Sequence, residues 1–252
     1  MKISEVLVSA IEAAEIACNE ILEVYQSSDF QTESKDDKSP LTLADKRAHA
    51  AIVSVLKETG LPILSEEGKM IPYEERKLWE YFWMVDPLDG TKEFLKRNGE
   101  FTVNIALIYH EKPILGVVAV PASGDVFYAA EGKACLKRNR QTISLPKRSP
   151  VSLTQNGLRV VASRSHMSPE TQDFINALTA PSLVSKGSSL KFMLLAEGQA
   201  DVYPRFAPTM EWDTAAAHAI VNAVGISVKQ RDRDEELRYN KEDLLNPYFL
   251  CL

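Results

Sequence analysis

Cysteine is scarce in this chain, with three residues in 252: Cys18, Cys135 and Cys251. An odd number without metal-ligand spacing argues against a disulfide framework or a cysteine-built zinc site. The three read as free thiols of a reducing compartment. No run approaches the roughly 18–20 apolar residues of a membrane span. Glu5 and Glu12 interrupt the N-terminal apolar pattern, so no signal peptide is expected. Excess positive charge is missing too. A net charge of −6 at pH 7 disfavours polymeric nucleic acid and gives no pull toward anionic lipid. There is no internal repeat and no low-complexity tract. The expected location is the cytoplasm, with peripheral association on the inner membrane face as the alternative.

What is present is an ordinary globular composition with clear periodicities. Ile3, Val6, Leu7, Ala10, Ile11, Ala14, Ala17, Ile21 and Val24 recur at three- and four-residue spacing, which predicts a helix over 2–26. A polar loop over 27–40 precedes a second helix at about 43–58, and 61–65 reads as a short strand. Residues 69–78 read as a charged surface connection. Strands are expected at 81–85, 101–109, 114–120, 126–130 and 134–137, forming an antiparallel meander after the first. The basic, proline-containing tract 138–157 is the candidate boundary. Beyond it strands and helices alternate, with strands at 158–162, 182–185, 201–205 and 226–229 and helices at 169–179, 189–197 and 213–223. The fold class is therefore α/β: an α+β part over 1–150 with most of the candidate ligands, and an α/β part over 151–252.

The chemistry concentrates in Asp86-Pro87-Leu88-Asp89-Gly90-Thr91. The strand is expected to stop at Asp86, because Pro87 has no N–H to give to a ladder. Two carboxylates and the Leu88 carbonyl are hard oxygen ligands suited to Mg²⁺, and consecutive N–H groups form a nest for phosphate. Alone, the segment is equally readable as a turn. Glu66 after one strand, Asp213 at a helix start and Asp45 near the start of another add acids at element ends, where loops converge. Asp213 is also suited to capping its helix.

Together with Ser65-Glu66-Glu67 upstream and Glu211-Trp212-Asp213-Thr214-Ala215-Ala216 downstream, these motifs resemble the inositol monophosphatase superfamily. Its members are Mg²⁺-dependent, lithium-sensitive phosphomonoesterases with a layered fold. The resemblance implies an αβαβα sandwich with the site between the two parts. It also implies one metal on Glu66, Asp86 and the Leu88 carbonyl, and a second on Asp86, Asp89 and Asp213. Gly90 and Thr91 would present N–H groups to the scissile phosphate, and Asp45 with Thr91 would orient and deprotonate water. Glu67 would stand behind the ligands or bind a weaker third ion, so two or three Mg²⁺ are expected. His and Cys are absent from the set, which disfavours zinc. Glu66, Asp89, Gly90, Thr91 and Asp213 would also touch substrate.

Lys92 to Phe101 and Gly187-Ser188-Ser189-Leu190-Lys191, with Tyr203-Pro204-Arg205, are similar to the branch that removes the 3′-phosphate of 3′-phosphoadenosine 5′-phosphate in sulfur metabolism. The 5′-phosphosulfate is a second candidate substrate. A bisphosphate needs cations for its uncleaved phosphate, and Ser188, Lys191 and Arg205 are the candidates, with Lys186, Lys92, Lys96 and Arg97 near by. An inositol or other sugar phosphatase, or a nucleotide sensor with incidental hydrolysis, are the rival readings. His166 is a candidate for the pocket wall, His218 reads as packed or hydrogen-bonded, and His49 and His110 read as surface groups.

Overall fold

The computed structural model describes residues 2–27, 33–34, 40–162 and 167–252. Helix α1 (Ile3–Gln26) buries Val6, Ala10, Ala13, Ala14, Ala17, Ile21 and Val24, one stripe of the predicted periodicity. The strands β1 (Glu33–Ser34) and β2 (Pro40–Leu41) form a small antiparallel pair. Helix α2 (Leu43–Leu56) then starts at the N-cap Thr42. The Asp45 carboxylate accepts from Thr42 N at 2.7 Å, and Thr42 Oγ1 accepts from Ala44 N at 3.2 Å. This reciprocal cap satisfies donors that a helix start leaves open. A 3₁₀ turn over 57–59 closes on Gly60, whose φ of 71° is the left-handed conformation that glycine tolerates.

Strand β3 (Ile63–Ser65) runs parallel to β4 (Tyr81–Asp89). Between them the expected surface connection contains a short helix, α3 (Tyr73–Arg76), and its arginine is 3% exposed. Arg76 donates to Asn240 Oδ1 at 2.9 Å and to the carbonyls of Lys241 and Glu242 at 2.5 and 2.7 Å. Charge alone had suggested solvent. The carbonyl partners lie 165 and 166 residues away, so no local pattern announces them.

Strand β4 also differs from expectation, because it continues through Pro87 to Asp89. Asp86 pairs with Asn104 and Asp89 with Thr102, with a register shift between them. Three steps on one strand face two on the other, which is a bulge. The missing N–H of Pro87 falls inside it, where the ladder needs no donor.

Helix α4 (Thr91–Leu95) follows, then β5 (Thr102–Tyr109), β6 (Lys112–Val120), β7 (Asp125–Ala130), β8 (Lys133–Arg138) and β9 (Gln141–Ser144). Strand β9 lies inside the tract read as a boundary; its side chains are all exposed, so no apolar alternation marked it. Strands β3 to β9 make one seven-stranded sheet in sequential order.

The rest of the chain supplies β10 (Arg159–Ala162), α5 (Pro169–Asn176), β11 (Ser182–Ser185), α6 (Leu190–Ala196), β12 (Tyr203–Arg205), α7 (Glu211–Ala223), β13 (Val228–Gln230) and β14 (Phe249–Cys251). Strands β10 and β11 pair in parallel, and β12, β14 and β13 form an antiparallel sheet. A parallel bridge from Val160 to Val202 joins the two groups.

Alternation along the central strands sorts the core into layers. Trp83, Val85, Ile105, Leu107 and Val117 pack with α1 and α2. Phe82, Met84, Ala106, Ile108 and Val118 face the opposite way, into a core shared with α6, α7 and Tyr203, Val228 and Phe249 of the smaller sheet. Ile175 of α5 packs with Val160 and Val202 on the far side. The order is helices, sheet, helices, sheet, helix: the αβαβα sandwich. Because the large sheet is covered on both faces, its strands read as nearly continuous apolar runs. Gly116 allows α7 to lie close on β6, since a Cβ there would sit 2.1 Å from the Ala216 carbonyl oxygen. No helix among the described residues is long and apolar enough to cross a membrane.

Candidate active site

Three of the predicted acids come together from distant parts of the chain. One carboxylate oxygen from each of Glu66, Asp86 and Asp213 lies within 4.8 Å of the other two. Glu66 follows β3, with its N–H on the Val85 carbonyl at 3.1 Å, so the parallel β3–β4 pairing sets it beside Asp86. Asp86 is 1% exposed at the start of the bulge, and its Oδ1 accepts from Leu88 N at 3.0 Å.

Asp213 enters from α7. That helix begins at Glu211, two residues before the predicted start, so Asp213 is its third residue rather than its cap. Its Oδ2 accepts from Met210 N at 2.9 Å. The apolar Met210 at the cap position hid the true helix start.

The group concentrates negative charge, which Arg205 offsets only in part at Asp213. Burial, then the charges of Glu66, Asp89 and Asp213, holds the Asp86 carboxyl well above the ordinary carboxylate range. Burial and Asp89 push Asp213 up to about 8 against the Met210 N–H bond. Asp89 thus acts on both, although the close trio does not include it. Buried like charges at this separation are costly unless protons or a cation neutralise them.

Asp45 and Thr91 also meet: Thr91 Oγ1 is 3.3 Å from Asp45 Oδ1 and 3.4 Å from the Leu88 carbonyl. The other Asp45 oxygen takes the Thr42 hydroxyl at 2.6 Å, so the capping contact of α2 fixes the orientation of this carboxylate. Gly90 adopts φ 93°, and a Cβ on it would press on the Glu100 carbonyl at 3.1 Å and on Ser188 Cβ at 3.2 Å. Gly187 is tighter still, with a Cβ meeting the same carbonyl at 2.8 Å. Two glycines let the 90–101 loop and the 187–189 turn interlock.

A cleft of about 360 Å³ opens beside the acids, lined by Asp89, Gly90, Ser188, Lys191, Arg205 and Asp213 among others. Burial lowers the Lys191 ammonium to about 8, with Arg205 acting in the same direction and Asp89 against it. Arg205 donates to the Pro208 carbonyl at 2.9 Å, while its Nε is buried with no hydrogen-bond partner among the described residues. Ser188 is engaged elsewhere, with Oγ 2.6 Å from Thr102 Oγ1. Neither it nor Ser189 caps α6 through its side chain in the usual way. Lys186 lies 3.7 Å from Glu100. His166 lies outside the described residues. His49 is not a plain surface group: Nδ1 stands 2.9 Å from Ser65 Oγ, behind the turn that carries Glu66.

Sequence reasoning missed the supports. Asn104 Nδ2 donates to Ser189 Oγ at 3.1 Å, and Ser189 Oγ donates to the Asp213 carbonyl at 2.9 Å. Thr102 Oγ1 also donates to Asn104 Oδ1 at 3.0 Å. The available signal was two polar residues, i and i+2, on one face of an otherwise apolar strand. They stand opposite Asp89 and Asp86 in the ladder.

This geometry agrees with known proteins. The sequence model of the inositol monophosphatase family matches residues 2–249. The 3′(2′),5′-bisphosphate nucleotidase CysQ of Escherichia coli K12 is 46% identical over 242 residues, covering 94% of this chain and 96% of its own. The crystal structure of CysQ from Bacteroides thetaiotaomicron has a TM-score of 0.86 at 48% identity, covering 99% of this chain and 97% of its own. At 22% identity, an IMPase of Thermotoga maritima shares the fold, with a TM-score of 0.77 over 98% of this chain and 91% of its own. With its acids gathered from two strand ends and the first turn of α7 and its sequence matched almost from end to end, the chain belongs to the inositol monophosphatase family, whose enzymes are metal-dependent.

Proposed function

We propose that this chain is a Mg²⁺-dependent 3′(2′),5′-bisphosphate nucleotidase that converts 3′-phosphoadenosine 5′-phosphate to AMP and phosphate in the cytoplasm. The observation that carries the reading is the trio of buried Asp86 with half-buried Glu66 and Asp213, the last of which lines a cleft that also holds Lys191 and Arg205. The names of the CysQ relatives support the substrate.

The donor set fits a hard divalent cation. The close trio consists of carboxylates alone, with no cysteine or histidine in it, and the Leu88 carbonyl would add another hard oxygen. Glu66, Asp86 and the Leu88 carbonyl would hold one ion, and Asp86, Asp89 and Asp213 a second. Bound there, Mg²⁺ supplies charge neutralisation of the phosphoryl oxygens and a more acidic attacking water.

The chain's own residues do the remainder. The Gly90 and Thr91 N–H groups hold phosphate oxygens at the bulge exit. Thr91 Oγ1 donates to Asp45 Oδ1 at 3.3 Å, and the pair would hold the attacking water on its open side. Asp45 takes one proton as the water oxygen bonds to phosphorus and the phosphorus–ester oxygen bond breaks, and the departing oxygen takes a proton from solvent to leave as the ribose hydroxyl. Thr42 keeps Asp45 aimed while this happens. Lys191 and Arg205 take the phosphate that is not cleaved, and the unpartnered Arg205 Nε is the donor that would be satisfied on binding. Ser188 contributes position rather than a free hydroxyl. The first part of the chain, to about residue 150, brings most ligands, and the second brings Asp213 and the bisphosphate pocket.

Phosphate release from 3′-phosphoadenosine 5′-phosphate, inositol 1-phosphate and fructose 1,6-bisphosphate, with and without Mg²⁺, tests this. Metal-dependent release favouring the adenosine bisphosphate is expected. Preference for a sugar phosphate would discard the pocket assignment, and tight binding without turnover would leave a sensor.

A further inference from the structure

Helix α7 carries a buried histidine that this chemistry leaves unused. His218 is 1% exposed; its Nδ1 lies 2.8 Å from Tyr239 Oη and its Nε2 2.7 Å from Glu236 Oε2. Tyr239 Oη is 3.3 Å from Thr214 Oγ1, and Thr214 follows Asp213 on the cleft wall. Thr214 donates to the Glu211 carbonyl at 3.1 Å and accepts from Asn246 Nδ2 at 3.1 Å. The same amide donates to the Met210 carbonyl at 2.7 Å, and Met210 N holds the Asp213 carboxylate. Hydrogen bonds therefore run without a gap from Glu236, whose side chain is 42% exposed, to the turn that aims Asp213.

The donor count along this path depends on one proton. Glu236 Oε2 already accepts from Val228 N at 3.0 Å, so Nε2 of His218 donates to it. Burial pushes the Tyr239 phenol well up, so its hydroxyl keeps its hydrogen. With a neutral ring, Nδ1 accepts and the Tyr239 hydrogen turns to it. The single hydrogen of Thr214 must then choose between Tyr239 and the Glu211 carbonyl. With a protonated ring, Nδ1 donates, Tyr239 turns its hydrogen to Thr214, and Thr214 keeps its own on Glu211. The protonated state makes one more hydrogen bond in the first turn of α7.

We propose that His218 is a positioning residue whose proton, relayed by Tyr239 and Thr214, tightens the turn that directs Asp213 into the acidic trio. This rests on the reading of Asp213 as a metal ligand. By linkage, a cation at the trio then favours the proton on His218. A bare electric field does the opposite, because a cation repels a cation. Other charges face the same side of the histidine: Glu111, Lys112, Glu235 and Arg238 share its outer cavity, and Lys229 acts on Glu236.

The test follows the His218 ring of the full chain by ¹⁵N NMR through a pH titration, in EDTA and in Mg²⁺. The wild type is compared with Tyr239→Phe, which keeps the ring and removes the hydroxyl. In the wild type Mg²⁺ should tighten proton binding at His218, by about threefold to tenfold for one hydrogen bond. In Tyr239→Phe the effect should vanish or reverse. The Mg²⁺ concentration for half-maximal activity should differ between the two proteins only where His218 is protonated in the wild type. Mg²⁺ that shifts the Gly90 and Asp213 amides but loosens the His218 proton equally in both proteins overturns the relay. So does a histidine that does not titrate. Absence of any Mg²⁺ effect on those amides removes the metal reading itself, and this inference with it.

Discussion

Neutralising one acid should stabilise this protein when metal is withheld, because the trio concentrates negative charge that Arg205 offsets only in part. The sign follows from Asp213. Its carboxyl rises from 3.8 to about 8 in the folded chain, so between those values the folded state holds a proton that the unfolded state releases. Stability present below pH 3.8 is therefore lost as pH rises, and the loss is complete once pH passes about 8. At about 1.4 kcal/mol per decade of proton affinity, this amounts to on the order of 5 kcal/mol. Solvent at the half-exposed edge of Asp213 reduces it to about 3 kcal/mol. For a chain of this length that is about 6–12 °C in Tm.

The assay is thermal unfolding from pH 5.5 to 8.5 in EDTA and in Mg²⁺. In EDTA the Tm should fall with pH through this window. With Mg²⁺ the fall should be suppressed, so that stabilisation by the ion grows with pH as it displaces protons. Asp213→Asn should raise the EDTA Tm at pH 8 by several degrees and abolish most of the Mg²⁺ effect. An EDTA Tm that is flat with pH, together with an Mg²⁺ increment equal at both ends of the window, would refute the reasoning.

Other substitutions test the scaffold and the pocket. Asp45→Ala removes both the α2 cap and the group facing Thr91, so it should cost about 1–2 kcal/mol in denaturant unfolding and lower kcat by at least about 100-fold. Gly116→Ala forces a Cβ to within 2.1 Å of the Ala216 carbonyl oxygen. It should cost about 1–3 kcal/mol by overpacking, read from urea midpoints, and weaken Mg²⁺ activation because α7 carries Asp213. Lys191→Ala should raise KM for an adenosine bisphosphate by about tenfold, the usual loss for a charged contact to phosphate, and change that for a simple sugar phosphate little. Equal effects on both would remove Lys191 from substrate selection.

Much of the fold was legible because local rules decided it. The spacing of Val6 to Val24 specified α1 within a residue at its start, and the runs from Phe101 to Ala130 specified the central strands. Errors fell where long-range partners override local signals. Pro87 stays in a strand because a bulge spares its missing N–H, and Arg76 is buried because carbonyls from the C-terminal segment receive its hydrogens. Asp213 was readable as a cap, yet Met210 fills that place because the Asp213 side chain itself reaches back to bond its N–H.

Residue type and order along the chain were sufficient to pick out the acids that gather and the family, since metal chemistry restricts ligands to few kinds and the motifs are short. Which acids touch was a matter of tertiary structure. Parallel pairing of β3 with β4 brings Glu66 to Asp86, and the packing of α7 on β6 over Gly116 brings Asp213 to both. The same holds for the carbonyls that take Arg76, the polar pair Thr102 and Asn104 behind the bulge, and the path from Glu236 to Thr214. Each depends on distances between residues far apart in the chain, and those are set only when the layers pack.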